Sequence, residues 1–507
     1  MPSTSAVMFH NARRVKIRGG RFNNVGRDQI NNTYISQSDS SCDTMYTIDR
    51  PSTPSLAIQA LYEEIKDVGA SYDAEARYPP PQCHPDTRKE VLELLHDWMR
   101  GCVSDPILWL YGPAGAGKSA IAQTLSKEAK ANGMLVASFF FCRSDSRSKR
   151  NSAKYLFLCI AYELACSIPG LRKPIEQALR NRTILQAALE DQFEQLILEP
   201  CRSLPRPRCR PGLLTIDGLD ECIGSLAQQR ILHIMATALP DDPPFRTLLC
   251  SRPEPSIREV IDTELFRDFL RRIPLDDTFQ PGRDIAIFLN SEFEKIRTSP
   301  RNFHIPFSSP WPKPGIVDEL VQKACGQFVY ASTIVKFVDD EYSNPCTQLE
   351  VVLHPGPHHD SESTSPFADL DALYHQILAT NPQRKKLHKV LQAIVSLPLM
   401  GFDLTPDNIG ALLLLPEGDV MATLRGMHSV LEIDGPEKRI RILHASFTDF
   451  LCEKHRAQDF CVGDKEAQYS FIAMCCLRAI DSYARPHEGQ DFRLPSQYVV
   501  PDAFRSL

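Results

Sequence analysis

The sequence predicts an α/β fold, a parallel sheet sandwiched by helices, with mostly helical domains after it. Three apolar runs carry that expectation. Ile107-Leu108-Trp109-Leu110-Tyr111 passes directly into Gly112-Pro113-Ala114-Gly115-Ala116-Gly117-Lys118-Ser119. A helical stretch follows, Ala120 to Lys130, with Ile121, Ala122 and Leu125 on one face. A second run, Leu213-Leu214-Thr215-Ile216, ends in Asp217-Gly218-Leu219-Asp220-Glu221, and a third, Thr247-Leu248-Leu249-Cys250, ends in Ser251-Arg252-Pro253. Continuous apolar strands that end in polar turns suit a sheet covered on both faces.

Strand, glycine loop, Lys-Ser and helix together form the context of a phosphate-binding loop. Glycines let the backbone wrap so that successive N–H groups face phosphate oxygens, and the helix adds the positive end of its dipole. The nucleotide-contact candidates are Gly112, Pro113, Ala114, Gly115, Ala116, Gly117, Lys118, Ser119 and Ala120. Lys118 is expected at the β- and γ-phosphates and the Ser119 hydroxyl on Mg²⁺. Asp217, at the tip of a buried strand, is the second metal candidate, acting through water. Asp220 and Glu221 follow closely enough to polarise an attacking water. The same two acids also suit a helix N-terminus, where they would satisfy a dipole. Arg252 is expected to sense the γ-phosphate, the alternative being a surface ion pair of small energetic weight. The expected cofactors are ATP or ADP with Mg²⁺.

The acidic strand, with a small residue after its first Asp and an Asp-Glu pair, resembles that of NACHT domains, in the STAND class of signal-transducing P-loop NTPases. Four more stretches resemble the NACHT proteins of mushroom-forming fungi. They are Pro81-Gln82-Cys83-His84-Pro85-Asp86-Thr87-Arg88, Ala137-Ser138-Phe139-Phe140-Phe141, Cys325-Gly326-Gln327-Phe328-Val329-Tyr330-Ala331-Ser332 and Leu443-His444-Ala445-Ser446-Phe447-Thr448-Asp449-Phe450-Leu451. The resemblance implies that Thr87 and Arg88 lie near the adenine. It places Phe328 where related ATPases often carry a proline against the base; the aromatic either stacks there or is a core residue. It also implies that His444 touches the β-phosphate of bound ADP and locks a closed state, as a neutral donor or a cation. The alternative is a helix-capping histidine.

Composition sets limits. A chain of 507 residues has room for three or four domains. A net charge of −6 offers no electrostatic ground for nucleic-acid binding. The cysteines are scattered without metal-ligand spacing, and Cys475-Cys476 are adjacent. Reduced thiols of this kind suit a cytoplasmic protein. Met1 to His10 has no apolar core and no apolar run reaches membrane length, so neither a secretory signal nor a membrane span is expected.

Along the chain, residues 1–54 read as a mostly disordered leader, poor in large apolar residues. Within it the Gly/Asn-rich motif 19–35 spaces Phe22, Val25, Ile30 and Tyr34 as in stacking strand–arc–strand segments. Such a motif could engage a downstream effector; the alternative is a flexible tail. Residues 55–82 read as a helical linker and 83–280 as the nucleotide-binding domain. A small helical domain is expected at 281–345, a linker at 346–366, a winged-helix domain at 367–460 and the start of a second helical domain at 461–507. Thr87 and Glu90 read as a capping box. Two short runs, 429–433 and 440–443, flank Asp434-Gly435 as a hairpin. The expected function is a slow-hydrolysing, nucleotide-dependent signalling switch that self-associates when activated, in fungal non-self recognition or programmed cell death. A non-hydrolysing nucleotide-binding scaffold is the alternative.

Overall fold

The computed structural model describes residues 55–101, 105–143, 149–204, 211–238, 243–341, 343–353, 367–401, 403–433 and 435–484. The leader with its 19–35 motif and the histidine-bearing linker 354–366 lie outside these residues, as does the chain from 485 onward.

Five strands form one parallel sheet in the order β2-β3-β4-β1-β5. They are β1 (Ile107–Tyr111), β2 (Leu135–Phe140), β3 (Gly212–Asp217), β4 (Phe245–Ser251) and β5 (Leu270–Pro274). All residues of β2 and β3 are buried, which is why these runs do not alternate with polar residues. Side chains nevertheless divide between two faces. Ile107 and Trp109 join one apolar core, with helix α4 (Leu156–Ser167) and helix α1 (Leu56–Ile65). Leu108 and Leu110 join the other, with helices α2 (Lys89–Met99) and α3 (Lys118–Ala131). The register pairs Tyr111 with Ser251 and Asp217 with Cys250. The ends of β1, β3 and β4 are therefore level, and the three polar turns that follow them share one edge, where ligands bind open α/β sheets.

The stretch expected as a helical linker is α-helical only to Ile65, with one 3-10 turn at Glu75–Arg77. Residues 66–78 then run as a strap along β2, with Phe140 N donating to Ala70 O at 2.9 Å and Tyr72 N to Ser138 Oγ at 3.0 Å. Glu163 of α4 accepts from Ser138 N at 2.8 Å, and burial pushes its carboxyl up to about 8. The open edge of β2 is thereby satisfied from within the chain. The capping box at Thr87 and Glu90 does not form. Thr87 Oγ1 instead donates to His84 O at 2.7 Å, and α2 starts after Arg88, in the left-handed region at φ 58°.

A second apolar core begins at Ile285 and runs to Val462. It takes in the Pro281–Thr298 helix, the Phe328–Val338 helix, the Arg384–Ser396 helix and the Ala445–Cys452 helix. The segments expected as a small helical domain and a winged-helix domain thus share one core. The hairpin is present but short: β6 (Leu431–Glu432) pairs antiparallel with β7 (Arg441–Ile442). The Lys465–Ala484 helix packs on the Arg384–Ser396 and Pro406–Leu413 helices.

Candidate functional site

After β1 the chain turns through residues 112–117 and enters α3. Gly115 and Gly117 both adopt positive φ, 75° and 93°, which L side chains rarely tolerate. Gly115 has a second constraint: a Cβ there would lie 2.2 Å from Val329 Cγ1. Val329 N donates to Gly115 O at 3.3 Å, so the Phe328–Val338 helix rests directly on the loop. Lys118 Nζ curls over the loop and donates to Gly112 O and Pro113 O, each at 2.8 Å. Burial lowers its pKa, against the opposing pull of Asp220.

Arg88 and Phe328 meet behind this loop. Arg88 is 5% exposed, donates from Nη2 to Ala116 O at 2.6 Å, and lies 4.5 Å over the Phe328 ring. Its backbone N donates to Asp284 Oδ2 at 2.8 Å. One ring face of Phe328 is therefore covered by a guanidinium, a cation–π contact, and that face is closed to a base. Thr87 is buried and spends its hydroxyl on the 84–87 turn, which takes it away from the loop.

The metal end is built from α3 and β3. Asp217 is 4% exposed and lies beside the Ser119 hydroxyl, which works against burial in setting its carboxyl's pKa. Its Oδ1 is buried with no partner. Burial pushes its carboxyl up to about 6. A buried, unpartnered carboxylate oxygen beside a hydroxyl is a donor set that fits a hard divalent cation, so the residues present suit Mg²⁺.

The acidic pair divides its work. Asp220 is occupied by Arg252, accepting from its backbone N at 2.9 Å and facing its Nε at 3.3 Å. Glu221 accepts from Arg143 N at 3.0 Å, and burial beside Asp220 holds its carboxyl well above the usual range. Arg252 reaches the other half of the molecule: its Nη1 donates to Asp449 Oδ2 at 2.6 Å, across 197 residues of sequence. Arg143 joins them, donating to Asp220 O at 2.7 Å and facing Asp449 at 4.0 Å. Arg252 is 17% exposed, so the ion pairs it makes are partly buried. Ala114, Arg143, Asp220, Arg252, Ser446 and Asp449 line a cavity of about 390 Å³ beside them.

His444 occupies the N-cap position of the Ala445–Cys452 helix, but its side chain makes no capping hydrogen bond. Its Nε2 lies 3.4 Å from Ser332 Oγ, on the same helix that rests on Gly115. Burial, with the Lys336 ammonium nearby, lowers its pKa to about 3, which favours the neutral ring here. An imidazole whose pKa is depressed on folding stabilises above its unfolded value of 6.5 and loses that stability as pH falls below it. His444→Gln should therefore blunt acid destabilisation, by up to about 2 kcal/mol at pH 5. Denaturant midpoints of parent and variant at pH 7.5 and pH 5 check this; equal acid losses would rule it out.

Three residues that touch this region were not singled out from the sequence: Arg143, Asp449 and Arg77. Asp449 lies inside the Leu443-to-Leu451 stretch, but its partner is remote in sequence. Arg143 at the end of β2 and Arg77 on the strap carry no local signal.

The parallel sheet, the glycine loop and the Ser119–Asp217 pair define a P-loop NTPase domain. Residues 87–252 match the family model described as Nephrocystin 3, N-terminal, a span that takes in the loop, Asp217 and Arg252. Within its class the domain is NACHT-like. No curated protein matches the chain by sequence. Among solved structures, a Walker-type ATPase of Pyrococcus abyssi is 13% identical, over 73% of this chain and 97% of that one, with a TM-score of 0.34. The Aeropyrum pernix ORC1 protein, in complex with DNA, is 13% identical over 76% of this chain and 91% of that one, with a TM-score of 0.31.

Proposed function

We propose that the protein is a nucleotide-dependent signalling switch of the STAND class, closed with ADP and opened by ATP. The observation that supports it best is the Arg252–Asp449 pair, which ties the γ-phosphate side of the loop to the hairpin-bearing half. In the closed form the loop amides and Lys118 hold the diphosphate. Ser119 and Asp217 hold Mg²⁺, which supplies positive charge to the phosphate oxygens. When a γ-phosphate is present, Arg252 turns to it and releases Asp449, since a phosphate oxygen competes for the same guanidinium. The hairpin-bearing half, read as a winged helix, then detaches and exposes surfaces for self-association. Glu221 orients water and accepts its proton, so slow hydrolysis restores the closed form.

The family resemblance supports a setting in non-self recognition or programmed cell death. The cysteines are scattered without metal-ligand spacing, which supports a reducing, cytoplasmic compartment. Among the described residues no helix is long and apolar enough to cross a membrane.

The test is the nucleotide that copurifies, read by chromatography after denaturation, together with single-turnover hydrolysis. ADP is expected in the parent. Glu221→Gln should retain ATP binding and slow its cleavage at least about 100-fold, the lower range for loss of a general base. Cleavage at the parent rate would move that role away from Glu221; no cleavage in the parent would favour the scaffold alternative.

A further inference from the structure

Arg77 is a charge enclosed by the nucleotide-binding half, 8% exposed and carried on the strap between α1 and α2. Its Nη1 donates to Ser71 O at 3.2 Å, Tyr72 O at 2.9 Å and Gln123 Oε1 at 2.8 Å. Its guanidinium lies over the Phe140 ring, 3.5 Å from the centroid. Both side-chain contacts lead to the metal end of the site. Gln123 stands one turn after Ser119 on α3 and donates to Tyr72 O at 2.8 Å. Phe140 is the register partner of Asp217, and Phe141 N donates to Asp217 O at 2.9 Å. Arg77 thus bridges α3, which carries Ser119, and β2, the strand paired with the one that carries Asp217.

The other side of the strap is gripped by the hairpin. Arg441 of β7 donates from Nη1 to Ala76 O at 3.5 Å and from Nη2 to Tyr78 O, the residues on either side of Arg77. Glu432 of β6 aims it, with its Oε2 2.8 Å from Arg441 Nε. The docked hairpin therefore holds the backbone from which Arg77 projects.

We propose that Arg77 is a positioning residue for the Ser119–Asp217 pair, and that Arg441 couples hairpin docking to it through the strap 71–78. This rests on the nucleotide–Mg²⁺ reading given above. A neutral or shorter side chain at 77 cannot span Gln123 and the Phe140 ring with one rigid fork. When the hairpin leaves, Ala76 and Tyr78 lose their common donor. The metal ligands then lose a support that no contact within the loop replaces.

The experiment measures ADP affinity by calorimetry in excess MgCl₂ and again in EDTA. The variants are Arg441→Ala, Arg77→Gln and Arg77→Lys, each checked for a folded melting transition. The ratio of the two affinities isolates metal coupling, whereas a general loss of structure lowers both together. In Arg441→Ala and Arg77→Gln the ratio should fall about fivefold or more, with EDTA affinity near the parent's. Arg77→Lys should fall between parent and Arg77→Gln. Parent-like ratios in Arg441→Ala and Arg77→Gln overturn the proposal, as does an equal fall with and without metal. Should Arg77→Gln not fold, the half-exposed Arg441→Ala decides alone. A parent that shows no Mg²⁺ enhancement instead removes the nucleotide–Mg²⁺ reading, and this inference with it.

Discussion

Lys118→Ala lowers affinity for both ATP and ADP at least tenfold, about 1.4 kcal/mol. Lys118 is the cation of the phosphate loop, and its ammonium rests only on the loop's own carbonyls, Gly112 O and Pro113 O. Removing it takes away the charge expected at the β- and γ-phosphates. The Gly115 and Gly117 backbone geometry and the α3 dipole remain, and they alone hold phosphate weakly. Because the side chain anchors nothing beyond the loop, the variant should melt with the parent. Nucleotide titration by fluorescence or calorimetry gives the answer; parent-like affinity would overturn the phosphate-loop assignment.

Asp449→Ala is expected to speed ADP release about ten- to a hundredfold and to shift the protein toward larger species in size-exclusion chromatography. Asp449 accepts from Arg252 in a partly buried setting, where a charge-assisted hydrogen bond contributes about 1.5–3 kcal/mol. That is enough to move a two-state equilibrium by the stated factor. Asp220 stays beside Arg252, so the variant does not strand a buried charge. Lys118→Ala should not reproduce the larger species, since ATP capture is lost with it. If Asp449→Ala releases ADP at the parent rate and elutes with the parent, the pair is an ordinary bridge and the switch lacks this latch.

The chemistry-bearing turns were legible in the sequence because each follows an apolar run and is local. The loop 112–119, the acidic end of β3 and Arg252 all fall on one edge of the sheet, as strand ends in a parallel sheet must. Contacts between remote segments were not legible. Nothing at Arg252 names Asp449, and nothing at Arg77 names Gln123 or Arg441. Thr87 misled for a local reason: its hydroxyl had two possible uses, and the turn ending at residue 87 took it before the helix could. His444 was found by its motif, but its neutral state and its contact with Ser332 depend on burial that no motif carries. The domain boundaries drawn at 345 and 367 followed chain composition, whereas packing ignores them and builds one core across both.

That single core has a mechanical consequence. The apolar clusters of the sheet half and the helical half are separate, and the described polar contacts between them include Gly115 with Val329, Arg252 and Arg143 with Asp449, Arg441 with the strap, Arg88 with Asp284, and His84 with Ser291 and Glu292. Each half has its own buried core, and the seam adds a few apolar contacts, such as Val329 on Gly115 and Phe288 on His84. Each partly buried hydrogen bond or ion pair at the seam contributes about 1.5–3 kcal/mol when charge-assisted, and is recovered in part by hydration when broken. An oily seam would fuse the halves for good; a seam of ion pairs is the kind of joint that the switch proposed above requires, since a phosphate competes for the same guanidinium.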